Sequence, residues 1–221
     1  MSRLLAIAAA AGLAAPVFAA PAAKSDGVTF VDIQSKANQP LADDVGGRSP
    51  NNTLAAVPTG EREFARVKFK VGEKCVQLAS PLLVKERPAR VEGIAVGRKA
   101  EKLHFLHTTL FGRGTPRIEE GDTIAEYKVT FDDGTSATVP VKYGEDVRDW
   151  WHGKDAPAPA GCKVKVAWEG DNEPAKAAGH VIRLYLTTWK NPHPGKKVAS
   201  IDFARTDGTP ASPILVALTA E

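Results

Sequence analysis

The stretch Ala125–Tyr143, AEYKVTFDDGTSATVPVKY, decides the fold class. Ala125, Tyr127, Val129 and Phe131 alternate with Glu126, Lys128 and Thr130, so one face is apolar and the other polar. A period of two is the mark of a half-buried strand. Asp132-Asp133-Gly134-Thr135 follows, and an Asp-Gly pair tolerates the positive φ angles of a tight hairpin turn. The return strand aligns Ala137, Val139, Val141 and Tyr143. Pro140 has no amide to donate, which places it on an edge or facing outward. The segment predicts an antiparallel hairpin.

The same period recurs on both sides. Strands are predicted over 64–71, 74–79, 89–96, 102–111, 163–168, 180–189, 198–204 and 213–220. Gly- and Pro-containing turns separate them, and no segment carries a long helical stripe. About ten short antiparallel strands read as an all-β sandwich. Residues 34–60 and 144–161 are polar and rich in Gly, Pro or Asn, and loops of that length in a compact domain are usually functional or disordered.

Residues 1–22 read as a signal peptide. Arg3 precedes an apolar run from Leu4 to Leu13, and small residues surround an expected cut between Ala19 and Ala23. The run is too short to span a bilayer. The expected product is a secreted or periplasmic single domain over 23–221, with no membrane span. Hydrophobic residues make up 43% and charged residues 25%, an ordinary globular balance. Net charge falls from +3 to +2 when Arg3 leaves, and the basic residues are dispersed, which argues against nucleic acid. In an oxidising compartment Cys75 and Cys162 are expected to form a disulfide, the alternative being two buried thiols that never meet.

Several segments carry a resemblance: VPTGEREFARVKFKV, RKAEKLHFLHTTLFG, YKVTFDDGTSATVPVKYGEDVRDWW, IRLYLTTWKNPHPGKKVASIDF and the closing PILVALTAE. Together they resemble a secreted bacterial β-sandwich domain of planctomycete type. Its layout is similar to the galactose-binding-like jelly rolls, which include many carbohydrate-binding modules. The resemblance covers about Asn51 to Glu221 and implies a jelly-roll sandwich with a binding role; such domains bind sugars, lipids or proteins.

Two loops hold the candidate site. In the first, Arg148 and Asp149 precede Trp150 and Trp151. Neighbouring side chains of an extended chain point to opposite faces, so one ring is expected in the core and one outside. An exposed ring suits the C–H face of a pyranose, while Arg148 and Asp149 suit its hydroxyls. Alternatively, Arg148 pairs with Asp146 or Asp149 and only pins the loop. In the second loop Trp189 shares the parity of Arg183 and Tyr185, opposite to Ile182, Leu184 and Leu186, and is followed by Asn191 and His193. The two loops form one site only if they lie at the same end of the sandwich.

His104 and His107, three apart on a strand, face opposite ways and cannot chelate one ion. No zinc motif is present, so no metal site is predicted. A structural calcium would draw on Asp43, Asp44, Asn51, Asn52 or Glu221, against the simpler reading of solvated loop acids. No nucleophile elbow, phosphate loop or dinucleotide motif occurs. The expectation is an exported non-catalytic domain, not an enzyme, whose partner is a carbohydrate. A protein-interaction or envelope-structural domain stands second, and a jelly-roll hydrolase or lyase third.

Overall fold

The computed structural model describes residues 24–25, 27–113, 116–156 and 162–221. The expected signal peptide over 1–22, with its cut site, lies outside the described residues. In chain order come β1 (Lys24–Ser25), β2 (Val28–Val31), β3 (Gln39–Pro40), β4 (Gly60–Phe64) and β5 (Val67–Val71). Next are β6 (Lys74–Gln77), β7 (Arg90–Lys99), β8 (Lys102–Leu110), β9 (Thr123–Phe131) and β10 (Ser136–Lys142). The last are β11 (Trp151–Gly153), β12 (Val166–Gly170), the short helix α1 (Glu173–Ala177), β13 (His180–Lys190), β14 (Lys197–Arg205) and β15 (Ser212–Ala220).

The named strands pair antiparallel in two packed sheets and a hairpin, a sandwich-like arrangement. The smaller sheet runs β10-β9-β14-β7. In the larger sheet β15, β8 and β13 form the centre; β2 and β6 flank β15, while β11 and β12 flank β13. Between the sheets lies the first core, where Tyr127 stacks between Phe105 at 4.1 Å and Phe203 at 4.5 Å. The predicted hairpin is β9–β10: Tyr127, Val129 and Phe131 are buried, Gly134 takes φ +82°, and Pro140 sits on the edge strand.

The outer face of the large sheet is buried as well. Leu106 and Leu110 of β8, Ile182, Leu184 and Leu186 of β13, and Ile214 and Val216 of β15 enter a second core. The hairpin β4–β5 covers it with Phe64, Phe69 and Val71, and the loop after β3 adds Leu54 and Val57. Burial on both faces explains why β15 reads as a near-continuous apolar run and why β8, with His104, His107, Thr108 and Thr109, is buried along nearly its whole length. It also corrects the parity assigned to β13: Tyr185 is buried in the first core and Trp189 packs on its margin, so neither belongs to a solvent-facing row.

Residues 64–71 are not one strand. Ala65 (φ 50°) and Arg66 (φ 69°) turn the chain between β4 and β5 in the left-handed region. Nothing in an Ala-Arg pair announces that turn, because the steric rule assigns such angles to Gly, Asn or Asp.

The expected disulfide is not formed; both thiols are free. Cys75 is buried in the second core, its Sγ 3.5 Å from the Gln39 carbonyl, and burial raises its pKa to about 12. Cys162 is partly exposed and accepts a hydrogen bond from Arg148 Nε at 3.3 Å. The thiols belong to separate local environments, and the oxidising-compartment argument carries no information about their separation.

Candidate ligand-binding cavity

The segment bearing the paired tryptophans enters the large sheet beside the end of β8. Thr109 and Asp149 form a parallel bridge, the Trp150 amide donates to the Thr109 carbonyl at 2.9 Å, and the Arg183 amide donates to the Trp150 carbonyl at 2.8 Å. The segment thereby fills the place left between the end of β8 and the start of β13, where β11 pairs Trp151 with Ile182.

Trp150 is buried, 3% exposed, in the second core. Trp151 is partly exposed and packs over the margin of that same core, its ring 6.3 Å from Trp150 and 5.5 Å from His180. One ring is in and the other partly out, but both lie on the same side of the sheet. Strict alternation fails here because Trp150 lies in the bend that precedes β11.

A cavity of about 380 Å³ opens at this place. Its aromatic walls are Trp151 and Phe111, with Leu110 and Trp150 beneath. Its polar groups are Asp149, Asn52, His180, Arg48 and Arg113. The Asp149 carboxylate anchors the wall: Oδ2 accepts from the Gly112 amide at 2.8 Å and Oδ1 from the Trp151 amide at 2.9 Å. Burial of this carboxyl raises its pKa to about 6, against the opposing pull of the two amides and Arg113.

The turn after β8 presents those groups. Phe111 holds φ 60°, a strained angle for a bulky residue. A Cβ at Gly112 would fall 2.5 Å from the Tyr143 ring, so only glycine lets the chain pass there.

The remaining expected site residues divide. Arg148 pins the loop: it pairs with Glu120, rather than Asp146 or Asp149, and its guanidinium lies 5.3 Å from the Tyr143 ring centre. Trp189 pairs with Leu103. Ile182 and Trp189 are seven residues apart on β13, about 23 Å at the usual strand rise, so the two loops do not form one site. Asn191 is buried, donating to the Ala100 carbonyl at 2.8 Å and accepting from the His193 amide at 2.8 Å. It shapes a turn. His193 is exposed beside the Phe131 ring at 5.5 Å.

Arg48, Phe111, Arg113 and His180 carry no sequence signal for this site, and Asn52 signals only a loop oxygen. They come from two separate connections and the first residue of β13, and no spacing links them.

His104 and His107 are buried within the sheet and hydrogen-bonded. His104 bonds Thr188 at 2.9 Å and Glu221 at 3.0 Å; His107 bonds Tyr127 at 3.2 Å and Thr187 at 2.9 Å. Three of the side chains considered for calcium have protein partners for their oxygens: Asp44 accepts from the Gly46 and Ser49 amides, Asn52 from Asn172, and Glu221 from Lys102. The Asn51 amide donates to Glu173. Among the described residues no three His, Cys, Asp or Glu side chains gather as a metal-binding group. No helix among them is long and apolar enough to cross a membrane.

No family model, curated protein or solved structure matches the chain.

Proposed function

We propose that this protein is an exported, non-catalytic binding domain that holds a saccharide in the cavity beside Trp151. The observation carrying this reading is the convergence of two aromatic side chains, Trp151 and Phe111, with a carboxylate, an amide and an imidazole around about 380 Å³. The volume is at the lower end of small-molecule sites, which pair apolar walls with a few placed polar groups. A pyranose has the matching duality. Its axial C–H face packs on an aromatic ring, and its hydroxyls donate to a carboxylate and accept from an amide. The jelly-roll, galactose-binding-like assignment belongs to the same proposal and rests on the sequence resemblance together with the layered antiparallel sheets.

The reading revises the contributors. Trp151 and Asp149 stay, Trp150 supports the cavity from the core, and Trp189, Asn191 and His193 leave the site. Affinity electrophoresis against a polysaccharide panel, followed by titration calorimetry, tests it. Binding that is lost in Trp151→Ala and retained in Trp189→Ala is expected. Absence of binding across the panel, or loss only in Trp189→Ala, contradicts it.

A further inference from the structure

We infer that the saccharide taken by this cavity carries a carboxylate, as in a uronic-acid oligomer; this rests on the saccharide reading and adds the ligand's charge. Arg48 and Arg113 both line the cavity and are both exposed. Neither forms a direct ion pair with a described residue, although Arg113 is near enough to Asp149 to favour its charged form. Arg48 donates through one Nη to the Leu82 carbonyl at 2.7 Å, which steadies the side chain and leaves other N–H groups of its fork unused by that bond. Four other guanidinium groups meet carboxylates, Arg148 with Glu120, Arg183 with Glu169, Arg117 with Glu119 and Arg90 with Glu92, while Arg62, Arg87, Arg98 and Arg205 bond carbonyl or amide oxygens as Arg48 does; Arg48 and Arg113 differ from the latter in lining the cavity together.

Two guanidinium groups outside any direct ion pair with a described residue, set beside an aromatic wall, match a planar anion on a ring. A guanidinium fork meets a carboxylate through two parallel hydrogen bonds, and such charge-assisted bonds are about twice as strong as neutral ones. Against two cations the wall offers one carboxyl, so the cavity rim carries an excess of positive charge that an anionic sugar would meet and a neutral one would not.

His180 adds a directed group. Its Nδ1 lies 2.7 Å from the Ala178 carbonyl and so carries the hydrogen, leaving Nε2 for another partner. Asp149 is the one acid among the described cavity-lining residues, and the Gly112 and Trp151 amides occupy one lobe of each of its oxygens. It is left to accept from a sugar hydroxyl. The division of labour is then definite: Trp151 under the ring, Asp149 to a hydroxyl, and Arg48 with Arg113 to the carboxylate.

The experiment compares oligogalacturonate and oligomannuronate with their methyl esters and with a neutral galacto-oligosaccharide, by titration calorimetry on the intact protein. Esterification keeps the shape and removes the charge. At least one acid is expected to bind roughly tenfold to a hundredfold more tightly than its ester, the range of a charge-assisted contact. That preference should shrink in Arg48→Ala and Arg113→Ala, and with added salt. Both arginines are exposed, so the variants should keep the parent melting temperature. Equal binding of acid and ester, binding of the neutral sugar alone, or a preference undiminished in the double variant overturns the charge assignment and leaves the saccharide reading standing. Binding of no saccharide overturns both.

Discussion

Asp149 joins the fold to the cavity, because the carboxylate that fastens Gly112 to Trp151 also lines the binding space. Burial holds its pKa at about 6, well above the ordinary aspartate range. A carbon-detected titration of the Asp149 carboxyl should find its midpoint near 6. Removing Arg113, one of the groups pulling the value down, should move it higher; a midpoint near 4 contradicts the buried setting. His107 works in the opposite sense. Its pKa is about 3 because the ring is fully buried, whereas an unfolded histidine titrates near 6.5. The unfolded chain therefore binds the proton that the folded chain refuses. The stability His107 contributes is present above about pH 6.5 and is lost as pH falls toward 3. Asp149, raised in the folded state, gains stability as pH falls through about 6, so the two partly offset each other. In His107→Gln the fall in urea midpoint between pH 6.5 and 4 should be shallower than in the parent. Parallel curves would show that His107 is not kept neutral.

Elements that follow a local rule were legible in the sequence, and those set by tertiary contact were not. The β9–β10 hairpin combines alternation, an Asp-Gly turn and an edge proline, and each carries its own physical meaning. The β4–β5 hairpin has alternation without turn chemistry, since Ala65 and Arg66 adopt left-handed angles unsuited to their side chains. Packing of Phe64 and Phe69 on the second core holds that turn. The double substitution Ala65→Asn with Arg66→Gly supplies residues that tolerate those angles. It should raise the unfolding free energy by on the order of 1 kcal/mol, read by urea titration. No gain would mean that the backbone there is not left-handed. At the turn after β8 the rule reverses. Gly112→Ala should cost about 1–3 kcal/mol, because the new methyl meets the Tyr143 ring. It should also weaken ligand binding through the displaced Asp149.

At the scale of the molecule, the strand pattern announced one sandwich, whereas the fold has two cores on one shared sheet. A strand buried on both faces loses its alternation, so β8 and β15 hid the second core. The loop 34–60 looked merely irregular because its covering residues, such as Leu41, Leu54 and Val57, are isolated apolar side chains without a period. The candidate site was half legible for the same reason. Trp151 and Asp149 lie in a recognisable aromatic–acid segment, while Arg48, Asn52, Arg113 and His180 reach the cavity only through the chain's topology. The separate thiols give a further test. Cys162 should be alkylated in the native protein and Cys75 only after unfolding, as mass spectrometry of the labelled peptides will read; a Cys75–Cys162 peptide would contradict the packing. The central claim concerns place: the ligand binds at the start of β13 and not at its end. The protein has four tryptophans, so a nitrogen–proton spectrum offers four indole signals to assign. On titration with the bound saccharide, the Trp151 indole signal should shift while that of Trp189 stays fixed. Movement of Trp189 with Trp151 unchanged would put the site at the other end of the strand and contradict the account.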